Sequence, residues 1–105
     1  GVHQFCTIGE YSFCAGGAMI TQDVMPFVMV SGHPPQTFGL NVVGMERNNF
    51  NKDVIDSVKK AYKIIFRSSY TVKELEEVMH DLISKYDEVT TMHEFLLSSK
   101  RGIVR

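Results

Sequence analysis

The chain has 105 residues, 44% of them hydrophobic and 22% charged, and its 11 basic and 12 acidic side chains leave a net charge of −1. That length suits one ordinary domain burying about 65% of its unfolded surface, and the balanced charge forecasts no nucleic-acid or membrane-surface partner. No apolar run approaches the ~20 residues that span a bilayer, and the start carries no signal-peptide pattern.

Residues 2–24 repeat in sixes. The first place of each unit holds Val2, Ile8, Cys14 and Ile20, and the fifth holds Cys6, Ser12, Ala18 and Val24. Neither a helical period nor simple alternation produces that spacing. It predicts short strands joined by tight corners and stacked into a parallel β-helix, with the aliphatic places filling the prism. Gly9, Glu10, Gly16 and Gly17 fall at corners, where glycine and polar residues are favoured. A β-meander with a chance period is the alternative. Four units make little more than one turn of a three-sided coil, and about three stacked repeats are the usual minimum for stability. A carboxyl-terminal piece of a longer β-helix is therefore expected. Cys6 and Cys14 both take inward places, which favours two buried thiols in a reducing cytoplasm over a disulfide. No Cys/His spacing suits zinc.

After Val24 the period stops. Met25–Val30 is predicted as a last strand entered through Pro26. Residues 31–39 read as a loop because Pro34 and Pro35 forbid a helix, and 40–50 as a connector. Lys52 to Ser68 is predicted as a helix capped by Asn51, its face built from Val54, Ile55, Val58, Ala61, Tyr62, Ile65 and Phe66. Thr71 and Glu74 form a capping box opening a second helix to Tyr86 that buries Val72, Leu75, Val78, Met79, Leu82 and Ile83. Breaks are expected at Ser68–Tyr70 and Asp87–Glu88, and a short third helix from Thr90 or Thr91 uses Met92, Phe95 and Leu96. His80 and His93 are expected in solvent, and His33 carries no reading. The basic tail from Lys100 to Arg105 is expected to cover something. The predicted division is 1–30 as last coils, 31–50 as loop and connector, and 51–105 as a three-helix domain.

Several stretches together carry a resemblance. They are Val2-His3-Gln4-Phe5; Gln22-Asp23-Val24 before Pro26; Gly39, Asn41, Gly44, Met45 and Arg47; Ala61 through Ser68; and Arg101 through Arg105. In this order the chain resembles the carboxyl-terminal part of the UDP-N-acetylglucosamine O-acyltransferase family, which opens lipid A synthesis. The resemblance implies the end of a left-handed parallel β-helix followed by a helical domain, in a cytoplasmic homotrimer. It implies transfer of a 3-hydroxyacyl chain from acyl carrier protein to the 3-hydroxyl of UDP-N-acetylglucosamine, with no cofactor and no metal. The family's general-base histidine lies upstream, so no catalytic residue is expected in this chain, and the chain alone is expected to be inactive.

Residue by residue, the resemblance implies substrate contacts at His3 and Gln4, against a solvated histidine on an outer face. It makes Gly16 an acyl-length gauge, although a glycine relieving a corner suffices to explain that residue. It places Asn41 and Arg47 against the uridine end of the nucleotide. Lys59, Lys60, Lys63 and Arg67 line up on the first long helix, where a solvated face and a dock for the acidic carrier protein both account for them. The sequence departs from the family pattern at Pro34, Val43, Asn48 and Asn49. Rival readings are another hexapeptide-repeat acyltransferase, such as the related N-acyltransferase, and a non-catalytic trimerisation or carrier-binding module.

Overall fold

The computed structural model describes residues 1–2 and 4–105, and His3 lies outside the described residues. Eight elements follow in order: β1 (Phe13–Cys14), β2 (Val28–Ser31), β3 (Gln36–Leu40), α1 (Val42–Arg47), α2 (Lys52–Arg67), α3 (Val72–Val78), α4 (His80–Lys85) and α5 (Asp87–Ser98). The fold is mixed β and α, with a three-stranded sheet in which β2 pairs in parallel with β1 and antiparallel with β3.

The first thirty residues form one coil stacked on the next. Val2 bridges Ile20, Ile8 bridges Val24, and Cys14 pairs with Val30, all in parallel. Backbone bonds hold each station: Ile20 N–H donates to the Gly1 carbonyl at 2.7 Å, Gly9 N–H to Val24 at 2.7 Å, and Ala15 N–H to Val30 at 2.9 Å. Val2 and Ile20 stand three hexads apart, as the period predicts. The other two stations are two residues shorter, so the period slips before Val24 and not after it. Val24 therefore occupies a stacking place above Ile8 and not the small fifth place. Gly9 is a packing requirement here, because a Cβ on it would lie 2.3 Å from the Pro26 nitrogen.

Burial follows the stacking. Ile20 is 1% exposed and Val24, Val28 and Val30 are fully buried, whereas Val2 is 51% and Ile8 40% exposed. Cys6 and Cys14 are free thiols, half-buried where full burial is expected from their inward places.

The predicted loop after the coil is a hairpin. Gly32, at a φ of +98°, opens the turn through Pro35, and β3 then returns along β2. The two prolines lack ladder donors and occupy the turn, which leaves residues 36–40 free to pair. The predicted connector contains α1, N-capped by Asn41, whose Oδ1 accepts the Gly44 N–H at 3.1 Å.

The helices agree best where caps are strong. Asn51 caps α2, accepting Val54 N–H at 2.9 Å, and the Thr71/Glu74 capping box opens α3. α2 buries Ile55, Val58, Ala61 and Ile65 and packs against α3 and α5. The predicted second helix is broken at Met79, a fully buried residue that ends α3 and begins α4. Leu75 and Met79 carry its core contact, while Val72 and Val78 are exposed. α5 begins at Asp87, so Asp87 and Glu88 form its first turn and not a break, and their carboxylates suit the amino end of its dipole. His93 is buried on α5 with its Nε2 unpartnered among the described residues, a correction to its expected solvation. His80 is exposed.

The tail does more than cover. Asp23 N–H donates to the Gly102 carbonyl at 3.0 Å and Val104 N–H to the Asp23 carbonyl at 2.8 Å. Ile103 thus bridges Asp23 in parallel, and the tail adds a third layer beyond the one that pairs Ile8 with Val24. The Thr37 hydroxyl donates to the Val104 carbonyl at 2.6 Å, and Arg105 Nη1 to the Ile65 carbonyl at 3.0 Å. Among the described residues, no helix is long and apolar enough to cross a membrane.

Candidate functional site

The coil presents its candidate residues outward at corners. Gln4 and Phe5 form an exposed turn of the first coil. Gly16 and Gly17 form another, and the two glycines differ in kind. Gly17 takes a φ of +87°, which strains any L side chain, whereas a Cβ on Gly16 would meet nothing within 4 Å. The surface over Gly16 is open because the residue lacks a side chain. The chain could carry one there without strain.

Asn41 lies at the seam between coil and helices, and the fold uses both ends of its amide. Its Oδ1 caps α1, while its Nδ2 donates to the Tyr11 carbonyl at 2.9 Å. Its backbone N–H donates to the Phe27 carbonyl at 2.7 Å. Tyr11 and Phe27 are corner residues with positive φ, at 55° and 69°. Their rings stack at 6.0 Å, and Phe50 meets each of them edge-on. Asn41 therefore fixes where α1 leaves the coil, and a ligand at this amide would share its remaining hydrogen-bonding capacity.

Arg47, at the far end of α1, is exposed, and its charge suits the carboxyl end of that helix. The departures around it have local explanations. Asn48 Nδ2 donates back to the Gly44 carbonyl at 2.7 Å, and Asn49 adopts a φ of 62°, a backbone asparagine tolerates. Val43 is exposed, as is Pro34 in its turn.

Lys59, Lys60, Lys63 and Arg67 all project from α2 into solvent. The structure separates them into two settings. Lys59 lines a cleft of about 380 Å³ between α1 and α2, with Glu46, Lys52 and Asp56 on its rim and Phe50 within. Lys60, Lys63 and Arg67 do not line that cleft. The Cys14 thiol is pushed above its ordinary pKa by burial, so it stays protonated at neutral pH.

Two features escaped the sequence-based list. Asp23 is buried with both carboxylate oxygens bonded, and Arg101 lays its guanidinium 5.6 Å above the Phe5 ring. The run Gln22-Asp23-Val24 marks Asp23 as distinctive, but partners as distant as Ser99 leave no local pattern.

Residues 23–104 match a family model described as UDP-N-acetylglucosamine O-acyltransferase, domain 2. An acyl-carrier-protein–UDP-N-acetylglucosamine O-acyltransferase of Vibrio atlanticus is 41% identical over 104 residues. The like-named protein of Myxococcus xanthus is 39% identical over the same length. Both alignments take in 99% of this chain, which spans 40% of the length of each relative. The crystal structure of a UDP-N-acetylglucosamine O-acyltransferase from Moraxella catarrhalis superposes on the whole chain with a TM-score of 0.93 at 39% identity, using 41% of its own length.

Proposed function

The chain belongs to the UDP-N-acetylglucosamine O-acyltransferase family, and from that premise we propose that it is the carboxyl-terminal part of an enzyme acylating UDP-N-acetylglucosamine. The reaction is transfer of a 3-hydroxyacyl chain from acyl carrier protein to the sugar 3-hydroxyl, the opening step of lipid A synthesis, in the cytoplasm. The observation that carries this reading is the end-to-end superposition, helices included, on a family structure at 39% identity. Many acyltransferases share stacked coils, whereas the helices and the returning tail are far more restrictive.

On this reading the stacked coils are the end of a left-handed parallel β-helix in a homotrimer. Residues 1–30 supply the last coils, 31–50 the connector, and 51–105 the helical domain. The general base lies outside this chain, whose residues bind and orient. His3 and Gln4 contact the substrate, Gln4 from the exposed turn of the first coil. Gly16 leaves the acyl groove open, and each methylene admitted gains up to ~0.8 kcal/mol of apolar burial. Arg47 offers a planar guanidinium, and Asn41 the remaining donor and acceptor of its amide, to the nucleotide end. Lys59, Lys60, Lys63 and Arg67 form a basic face suited to the acidic carrier protein.

Incubation of the longer gene product with 3-hydroxyacyl carrier protein and UDP-N-acetylglucosamine tests the proposal, with the ester followed by mass spectrometry. Ester at the 3-hydroxyl is expected. Transfer confined to an amino-sugar acceptor, or no transfer at all, would overturn it. Arg47→Ala should raise the acceptor KM about tenfold, ~1.4 kcal/mol, with the donor KM unchanged; equal effects on both would assign Arg47 to folding.

A further inference from the structure

We infer that Asp23 is a positioning residue for the Gln4-bearing turn, acting through Thr7 and anchored from behind by Ser99 and the carboxyl-terminal strand. The inference rests on the reading of Gln4 as a substrate contact. Asp23 Oδ1 accepts the Thr7 N–H at 2.8 Å and Oδ2 accepts the Ser99 hydroxyl at 2.6 Å. Its own backbone pairs with Gly102 and Val104. One buried residue thus joins the first coil, the second coil, the end of α5 and the tail.

The geometry says why a carboxylate stands there. Thr7 gives its carbonyl to Val24 N–H at 2.9 Å, so its own N–H faces the same side, and the Asp23 carboxylate meets it there. A charged acceptor makes the stronger bond to a backbone N–H. A buried carboxylate needs its lone pairs satisfied, and Ser99 supplies the second donor. The turn is held from its other flank as well, since Arg101 lies over Phe5. Phe5, Thr7, Asp23, Ser98, Lys100 and Arg101 line one cleft of about 230 Å³. Gln4 and Phe5 are exposed, and an exposed turn without such ties would sample many geometries. Holding it in place removes part of the ordering cost of binding.

A purely structural role predicts loss of folded enzyme with both substrates affected alike. Positioning predicts an effect confined to the acceptor and shared with Gln4. In the longer gene product, Asp23→Ala should raise the acceptor KM about five- to tenfold while the donor KM and kcat stay within about twofold. Gln4→Ala should act similarly, and the double variant should be no worse than Gln4→Ala alone by more than about twofold, because the two act through one turn. Asp23→Asn, which can offer its oxygen to Thr7 and its amide to the Ser99 oxygen, should restore most of the loss. A wild-type acceptor KM in Gln4→Ala removes the reading of Gln4 itself. A raised KM in Gln4→Ala with a wild-type KM in Asp23→Ala, or with additive effects in the double variant, overturns the role of Asp23. If Asp23→Ala fails to fold, Asp23→Asn combined with Ser99→Ala takes its place. About a threefold, acceptor-only rise is expected there; no rise, or equal rises for both substrates, overturns the inference.

Discussion

In the coil half, Ile20 and Val24 are buried while Val2 and Ile8, their stacking partners one turn earlier, stand partly exposed. In the helical half, α2 buries Ile55, Val58, Ala61 and Ile65 along a stripe set by its own spacing. The difference is one of range. A coil residue is buried by what stacks above and below it, many residues away in sequence, whereas a helical residue is buried by a face its neighbours already define. The coil half is therefore intolerant at its contacts between layers and permissive at its outer corners. The helical half should lose stability in small increments, cap by cap.

The sharpest way to break that contrast is Gly9→Ala against Gly16→Ala. A Cβ at Gly9 collides with the Pro26 backbone, so a loss above about 3 kcal/mol is expected. The same change at Gly16 should stay within about 0.5 kcal/mol. Urea unfolding of both variants measures the difference, and equal losses would erase the distinction between layer contact and corner. Next comes the seam. Asn41→Ala removes the α1 cap and the Tyr11 tie, and should cost about 1–2 kcal/mol. Asn41→Asp keeps the cap oxygen and loses the donor, so it should fall between.

The smallest effect belongs to the helical half. Thr71→Ala should cost about 1 kcal/mol at neutral pH. The Thr71 backbone N–H, then its hydroxyl, holds the Glu74 carboxyl below its usual range. A lowered folded pKa gives stability that is present above the unfolded carboxylate range and lost as pH falls through the folded value. The gap between wild type and Glu74→Gln, which removes the charge that the Thr71 N–H stabilises, should thus narrow in acid. Thermal melts across pH 2–7 (about the carboxylate range) would show it, and a constant gap would contradict the link to Glu74.

The same difference in range governs how much could be read from sequence. Six-residue spacing gave away the stacking of Val2 on Ile20, and Asn51 and Thr71 with Glu74 gave away two helix starts. The slip that sets Val24 over Ile8 was hidden, because a corner shortened by two residues leaves the apolar content unchanged. α1 was missed since six residues containing Gly44 show no period. The break at Met79 lies inside an unbroken apolar pattern, and α5 starts without a side-chain cap, so Asp87 looked like a linker. His93 sits between Met92 and Glu94, and only packing tells which neighbour it follows. At the site, the corner placement of Gly16 follows from the six-residue period and the shared face of the basic residues of α2 from helical spacing, whereas Gln4 is legible only through the family resemblance. The internal use of Asn41 and the four-way junction at Asp23 depend on contacts across the chain and left no local sign.

On the proposed function, the coil corner at Gly16 meets the acyl chain. The donor chain-length profile of Gly16→Met in the longer gene product tests it most directly. A side chain at Gly16 meets no neighbour within 4 Å, so the variant should fold normally while its preference moves toward shorter donors, by a few-fold per carbon. A folded variant whose chain-length profile matches the wild type would contradict the claim.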